Sequence, residues 1–257
     1  MRGVKKGTAA ANVLAALNFD PSDPKSASLI ANLYTPDTRL KKHIKAVDTL
    51  FAKGKLTQQE RQQLGYALED IVLLAFQNLT NASSLQSYQS AAAQHDLVID
   101  GPPADTVWLA LCRALYIEKG AGTGILIEAK ATEEPVGDRE FERLGNILTH
   151  YFERTVGIGV FIAINGASGF PKRNGKRVKG LHSARLTQAI IYHKLGKPIV
   201  VLDWDDLKTL TVPGSLVQVI ASKVREIEAL SGLKAAPPPK PVVDVPARMK
   251  PLIRLKP

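Results

Sequence analysis

The nine residues GILIEAKAT, from Gly124 to Thr132, place an apolar run directly before a carboxylate, a small residue and a lysine. Side chains of a β-strand alternate between the two faces of its sheet, so Glu128 and Lys130 point the same way, about 6.6 Å apart. The alternate residues of the stretch face the other side and can be buried. A carboxylate and an ammonium at the end of a buried strand cost free energy unless they are paired, hydrogen-bonded or bound to a metal. The stretch therefore predicts a candidate site at the end of a core strand.

The composition is that of an ordinary soluble globular protein. The chain has 257 residues, of which 45% are hydrophobic and 23% charged, enough for one large domain with extensions. Its single cysteine, Cys112, excludes an internal disulfide framework and fits a reducing compartment. The sequence contains no C-x-x-C or H-E-x-x-H pattern, which argues against structural zinc. No apolar run approaches the ~20 residues of a membrane span, so we expect a cytoplasmic protein with no membrane partner.

The charge balance favours a polyanionic partner. The formal net charge is +10 and the pI is about 9.6, which is typical of proteins that bind nucleic acid, although the same excess also serves solubility. The basic segment PKRNGKRVKG, at 171–180, is predicted to be a loop. It is either an ordinary solvated loop or a set of contacts to the phosphate backbone. The predicted nucleic-acid-binding residues are Lys172, Arg173, Lys176, Arg177 and Lys179.

The chain divides into three predicted parts. Residues 1–56 form an N-terminal helical extension, with apolar residues at helical spacing in 38–53. Residues 57–232 form the main domain. Residues 233–257 are rich in proline and lysine, a composition that predicts disorder.

Strands and helices alternate in the second half of the chain, which indicates βαβ units and a partly parallel sheet covered on both faces. The predicted strands are 96–100, 124–132, 156–166 and 198–204, and the predicted helices are 57–79, 138–154, 182–195 and 214–231. Thr57 and Glu60 form a capping-box pattern at the start of the first of these helices. Periodicity leaves residues 105–117 open between helix and strand. The expected fold class is α/β, with a mixed central sheet flanked by helices.

Four residues with complementary chemistry follow one another on the predicted elements. Glu69 lies on a helix, Asp96 at the head of a strand, and Glu128 and Lys130 on the next core strand. Carboxylate oxygens are the protein ligands of Mg²⁺, and a bound ion polarises a phosphodiester and lowers the pKa of bound water. Lys130 would orient that water or neutralise charge that develops on the phosphate. The pattern therefore points to hydrolysis of phosphate esters without a covalent nucleophile.

In this order the residues resemble the PD-(D/E)xK nuclease superfamily, whose members have the restriction-endonuclease-like fold. LGYALEDIVLLAF (64–76) is similar to the first core helix of that family, and HDLVID (95–100) to the strand that carries the motif aspartate. ILIEAKA (125–131) is similar to the E-x-K strand. The helix from Asp138 and the strand after it resemble the αβ unit that completes the core. The resemblance covers residues 57–210.

The resemblance implies a role for each residue of the group. Asp96, Glu128 and the backbone carbonyl of Ala129 would bind Mg²⁺, with Mn²⁺ as the alternative ion. Lys130 would be the catalytic lysine, and Glu69 would support the metal site.

The spacing departs from the family pattern at one point. The gap from Asp96 to Glu128 is long for a simple hairpin, so residues 102–120 would be an insertion. Asp100 is therefore a rival for the role of metal-binding aspartate. We prefer Asp96 because it precedes a short apolar run, as the motif aspartate of the family usually does.

The implied activity is that of a Mg²⁺-dependent endodeoxyribonuclease in a prokaryotic restriction or antiviral defence system. The resemblance further suggests a helicase or sensor subunit as a partner, and a homodimer would allow two sites to cut two strands. A ribonuclease on the same core stays open, because the chemistry does not use the 2′-OH. A non-catalytic nucleic-acid-binding or interaction subunit that keeps the fold also stays open.

Overall fold

A five-stranded mixed sheet lies at the centre of the protein. The computed structural model describes residues 27–79, 83–86, 96–101, 106–115, 117, 122–132, 134–170 and 183–230. The strands, in their order across the sheet, are β1 (Ser83–Gln86), β2 (Leu97–Asp100), β3 (Gly124–Lys130), β4 (Val156–Ala163) and β5 (Ile199–Leu202). β2 runs antiparallel to β1 and β3, whereas β3, β4 and β5 are parallel to one another. The predicted mixed α/β sheet is therefore confirmed.

Helices cover both faces of this sheet. The helices of the described residues are α1 (Ala27–Leu33), α2 (Leu40–Phe51), α3 (Gln58–Phe76), α4 (Thr106–Ala114), α5 (Asp138–His150), α6 (Ser183–Leu195), α7 (Trp204–Thr209) and α8 (Ser215–Leu230). The larger apolar cluster packs α1–α4 and α8 against one face, which we call the α3 face. The smaller cluster packs α5, with the adjoining part of α6, against the other, which we call the α5 face.

The central strands are apolar because both of their faces are covered. β4 reads VGIGVFIA and is buried at every position. A Cβ atom at Gly157 would lie 2.3 Å from the Ile117 side chain, so only glycine allows this close approach. Strand β3 has the same character as far as Glu128, after which its burial decreases towards Lys130. The E-x-K residues therefore stand where the core ends.

The N-terminal helices belong to the same core as the sheet. α2 contributes Leu40, Ile44 and Val47 to the larger apolar cluster. The buried Tyr34 hydroxyl donates a hydrogen bond to the carbonyl of Leu210, 2.7 Å away, and so ties the end of α1 to the region before α8. The described part of the N-terminal extension is thus packed against the main domain.

Several local predictions are confirmed. Thr57 caps α3 as expected: its Oγ1 accepts from the Glu60 N–H at 3.3 Å, and the Glu60 carboxylate accepts from the Thr57 N–H at 2.9 Å. The ambiguous segment 105–117 contains a helix, α4, rather than a strand. In addition to these predicted features, Gly196 follows α6 with a φ of +63°, a conformation that suits glycine at a helix end.

Several predicted elements differ from the structure. The helix predicted over 138–154 ends at His150, and the strand predicted over 156–166 ends at Ala163. The strand predicted to reach Trp204 ends at Leu202, because the Asp203 side chain accepts from the Asp206 N–H at 3.0 Å and starts α7. Trp204 is therefore a helical residue, and its indole N–H donates to Asp48 at 2.8 Å. Strand β1 had no predicted counterpart.

Some sequence predictions fall outside the described residues, namely those for the basic segment 171–180 and the tail 233–257. Within the described ranges, none of the helices combines the length and the apolar character needed to cross a membrane.

The capping box of α3 yields a stability prediction. Thr57→Ala removes the side-chain acceptor and is expected to lower the free energy of unfolding by about 1 kcal/mol, measured by urea denaturation. Thr57→Ser is the matched control, since it keeps the hydroxyl and should stay close to wild type. Equal destabilisation by both substitutions would contradict a capping role for the hydroxyl.

Candidate active site

The start of β2 and the end of β3 meet at one edge of the sheet. Leu97 pairs with Ile127 in the antiparallel register, so Asp96 and Glu128 flank the same end of the strand pair. The Asp96 carboxylate accepts a hydrogen bond from the backbone N–H of Ala129, with 2.5 Å between Oδ2 and the nitrogen. Ala129 is the central residue of the E-x-K pattern. Asp96 and the pattern are therefore in direct contact.

Glu128 is the charged centre of the site. It is only 4% exposed, and its Oε1 atom receives two cations. The Nζ atom of Lys130 lies 2.7 Å from Oε1, and the guanidinium of Arg143, on α5, donates a hydrogen bond to the same oxygen. The other oxygen, Oε2, is buried and has no hydrogen-bond partner among the described residues. A buried carboxylate oxygen without a partner is costly, so this atom is suited to accept a ligand.

The backbone of Ala129 faces β2. The Lys130 carbonyl accepts from the Ile164 N–H at 3.4 Å and so points towards the β4 side. Because backbone groups alternate along a strand, the N–H and the carbonyl of Ala129 point towards the opposite side. The N–H is already bonded to Asp96. The carbonyl thus points towards the side of the sheet on which Asp96 lies.

Glu69 lies on the α3 face, near Asp96. Together they line a cavity of about 280 Å³, whose other residues include Asp70, Leu97 and Ala129. Partial burial is the main cause that raises the pKa of the Glu69 carboxyl, and the negative charges of Asp96 and Asp70 raise it further. The negative charge of Asp96, at the start of β2, therefore affects the pKa of Glu69, although the Glu69 side chain is mostly exposed to solvent.

The acidic residues are distributed over both faces of the sheet end. The Glu128 side chain contacts Arg143 of α5 and lies on the α5 face, whereas Glu69 and the side chain of Ala129 lie on the α3 face. Asp96 precedes β2 and borders the α3-face cavity, while its carboxylate reaches the β3 backbone. The predicted residues thus lie at one end of the sheet, with Glu69 on its α3 face and Glu128 on its α5 face.

Asp100 occupies the opposite end of β2. Its Oδ1 accepts hydrogen bonds from the Thr123 hydroxyl at 2.9 Å and from the Gly101 N–H at 2.8 Å. Ile99 pairs with Ile125, so Asp100 stands beside the start of β3. About four residues of strand, roughly 13 Å, separate that end from Glu128. Of the two aspartates, Asp96 is the one next to the E-x-K pattern.

Two residues of the site were not predicted from the sequence, Arg143 and Asp70. Arg143 borders the apolar stripe of α5, a position at which an arginine usually just covers the core with its aliphatic stem. Only the register of α5 over β3 reveals that it reaches Glu128. Asp70 follows Glu69 directly and lies 3.4 Å from His43 on α2, a contact that no sequence spacing indicates.

The five predicted contacts to nucleic acid, in the segment 171–180, lie outside the described residues. No group of three or more histidine, cysteine, aspartate or glutamate side chains is arranged to hold a metal in the described ranges. Mg²⁺ usually takes only one or two carboxylates from a protein and fills its other positions with water and substrate. The oxygen donors at the sheet end, which include the unpartnered Oε2 of Glu128, fit that requirement.

Comparisons with known protein families, with characterised proteins and with solved structures found no match to this chain.

The raised pKa of Glu69 gives a measurable electrostatic link to Asp96. Asp96→Asn removes one negative charge beside the cavity, so the pKa of Glu69 should fall towards its ordinary value, as measured by NMR titration of the side-chain carboxyl. A carboxyl whose pKa is higher in the folded chain binds its proton more tightly there. Protonated Glu69 therefore stabilises the folded chain fully at pH values below its pKa in the unfolded chain. This stabilisation is lost as the pH rises through the pKa of Glu69 in the folded chain.

Asp100→Asn is the control, because it removes the same charge at the far end of β2. It should leave the Glu69 titration unchanged. If both variants shifted the pKa of Glu69 equally, the coupling would be a general effect of net charge rather than of Asp96.

Proposed function

We propose that this protein is a metal-dependent nuclease of the PD-(D/E)xK type, with DNA as its substrate. The observation that carries the proposal is the hydrogen bond from the Ala129 N–H to the Asp96 carboxylate. It joins the predicted motif aspartate to the middle residue of the E-x-K pattern. If Glu128 and Lys130 were only a solvated surface pair, Glu128 would be exposed to solvent, and no aspartate would be needed beside Ala129. Instead, Glu128 is only 4% exposed.

The order of the elements supports the same proposal. Helix α3 is followed by β1 and β2, then by α4, and then by β3, α5 and β4. These elements include the four segments on which the family resemblance was based. β3 and β4 are parallel neighbours connected through α5, which is the αβ unit expected to complete a restriction-endonuclease-like core. α4 lies between β2 and β3, within the residues 102–120 that were predicted to be an insertion, and the other helices precede α3 or follow β4.

The residues of the site have distinct tasks in phosphodiester hydrolysis. Asp96, the carbonyl of Ala129 and the Oε2 atom of Glu128 would hold Mg²⁺ or Mn²⁺. Such an ion, when bound, supplies Lewis-acid polarisation of the phosphate and a water of lowered pKa. The Lys130 ammonium, 2.7 Å from Glu128 Oε1, is at the edge of the core and can donate to the attacking water or to the phosphate. Glu69 adds negative charge from the α3 face.

A second candidate function is supported by one observation. Two cations already neutralise Oε1 of Glu128, so the carboxylate can be a structural anchor rather than a metal ligand. The protein would then be a nucleic-acid-binding or interaction subunit that keeps the nuclease fold. The Oε2 atom, which has no hydrogen-bond partner among the described residues, favours the catalytic function, because a purely structural ion pair would be expected to satisfy both oxygens.

The proposal is tested by cleavage of supercoiled plasmid, linear duplex, single-stranded DNA and RNA with Mg²⁺ or Mn²⁺. Lys130→Ala and Glu128→Gln should each lower the cleavage rate by about a hundredfold or more, because each removes a group that acts on the reacting phosphate or its metal. Arg113→Gln, an exposed charge on α4, is the control and should cut at the wild-type rate. The preferred substrate also distinguishes deoxyribonuclease from ribonuclease.

Activity that survives in both site variants would mean that cleavage comes from elsewhere, and the assignment of β3 would be wrong. Wild-type protein that binds nucleic acid and divalent ions but cuts none of the four substrates would favour the non-catalytic subunit. A restriction or antiviral role, and a helicase or sensor partner, are further expectations of the family resemblance. They would be tested by co-purification from the native host.

A further inference from the structure

Helix α2 presents a basic surface to solvent. The segment RLKKHIKAV, from Arg39 to Val47, contains four lysines and arginines and no acidic residue. Its apolar residues are buried in the core, whereas Lys41, Lys42 and Lys45, which we call the α2 lysines, are exposed. Like charges three or four residues apart on a helix repel one another, so this arrangement destabilises α2. The α2 lysines therefore form a surface suited to an anionic partner.

The α2 lysines differ from other cations of this region in having no counter-charge. Arg39 pairs with Asp37 at 2.8 Å, and Lys53 pairs with Glu60 at 2.7 Å. Among the described residues, by contrast, no carboxylate lies within ion-pair distance of an α2 lysine. Their charges are thus available to an external anion.

Helix α2 lies beside the cavity at the start of β2. A short connection, residues 52–57, joins α2 to α3, and the two helices pack against each other as an antiparallel pair. His43 of α2 lies 3.4 Å from Asp70, which lines the cavity together with Glu69. Lys42 is the neighbour of His43 and therefore stands level with the cavity, and Lys45 is less than one helical turn away.

Tyr66 places an aromatic ring on the same side of the helix pair. It is 67% exposed, the largest exposed fraction among the bulky apolar and aromatic residues of the described ranges. It precedes Glu69 and Asp70 by three and four residues, so it lies on the same face of α3, one turn from the cavity. A ring exposed to this extent gains little from packing in the fold, but a nucleobase can stack on it.

Free lysines beside an exposed ring fit a single strand of nucleic acid. Proteins that bind single strands contact the phosphates with cations and stack the unpaired bases on aromatic side chains. A duplex fits less well, because its bases are already stacked inside the helix. An acidic protein partner would use the lysines but would not need the ring.

We propose that the outer surface of α2 and α3 binds single-stranded nucleic acid, with the α2 lysines on the phosphates and Tyr66 on a base. The bound strand lies beside the cavity at the start of β2. The proposal rests on the nuclease function argued above for its biological role, and it names the single strand as the form in which the substrate reaches the site.

The first measurement is the binding of a fluorescein-labelled oligothymidylate to the full chain, by fluorescence anisotropy in EDTA, so that no cleavage occurs. Tyr66→Ala should raise the Kd about tenfold, because one base loses its stacking partner. Tyr66→Phe keeps the ring and should bind like wild type. Tyr151→Ala should also bind like wild type: Tyr151 is 53% exposed, but it follows α5 at the end of the sheet opposite Glu128. A duplex should bind to Tyr66→Ala and to wild type equally.

The second measurement is the salt dependence of the same binding. Lys42→Gln should reduce the slope of log Kd against log salt by about 0.7, the value for one phosphate contact on a single strand. Lys42→Arg should restore the slope, since it keeps the charge. Lys194→Gln, which removes an exposed cation at the end of α6, should leave the slope unchanged. Thermal unfolding at the wild-type midpoint confirms that each variant is folded.

The failure of this proposal can be distinguished from the failure of the nuclease proposal. The single-strand surface is overturned if Tyr66→Ala binds the oligothymidylate like wild type, if it weakens duplex binding equally, or if wild type does not bind the single strand. Poly-glutamate that competes as well as unlabelled oligothymidylate would indicate an acidic protein partner and would also overturn it. An unchanged salt slope in Lys42→Gln would refute the phosphate contact. If the binding losses occur as expected but wild type cuts nothing with Mg²⁺ or Mn²⁺, the surface stands and only the nuclease proposal fails.

Discussion

The structure depends on how one buried carboxylate is neutralised. Glu128 ends the apolar part of β3 at 4% exposure, in a position where an unpaired charge would destabilise the fold strongly. Two cations pair with the same oxygen of this carboxylate: Lys130, two residues further along the strand, and Arg143, from the helix above it. The placement of α5 over the sheet therefore has two effects. It buries the apolar side chains of the helix, and it brings Arg143 to the buried carboxylate of Glu128. The burial of Glu128 therefore constrains both the fold and the candidate site.

Strand register imposes the second condition. Because side chains alternate with a period of two, a slip of one residue between β2 and β3 would move every side chain of the slipped strand to the other face. The observed register pairs Leu97 with Ile127 and leaves Asp96 next to the Ala129 N–H. The apolar residues of β2 and β3, which must alternate between the two clusters, thus fix the distance between the charged groups. The packing of apolar side chains in the core thus determines where the charged groups lie at the end of the strands.

Sequence patterns predicted most of the regular elements, because each has a local signal. The capping box at Thr57 and the apolar run of β3 were sufficient to locate α3 and the E-x-K strand. The patterns did not predict β1, whose SSLQ sequence has little strand character, or the helix start at Asp203. They also failed to predict that Glu69 and Glu128 lie on opposite faces, since this depends on which helix covers which face. The pairing of Arg143 with Glu128, across 15 residues, has no local signal at all.

The distribution of charge along the chain determines which residues would attract a polyanion towards such a site. The described residues contain 18 lysines and arginines and 18 aspartates and glutamates, so together they have no formal net charge. The whole excess of +10 is carried by the other residues, and the segments 171–182 and 231–257 contribute five charges each. Under the proposed function, long-range attraction to nucleic acid would therefore come from residues outside the described ranges, and it would be sequence-independent and sensitive to salt. The cations beside Glu128 would act only at short range, because the described residues have no net charge; under the proposed function, the site would therefore act on a phosphate that the basic segments had already attracted.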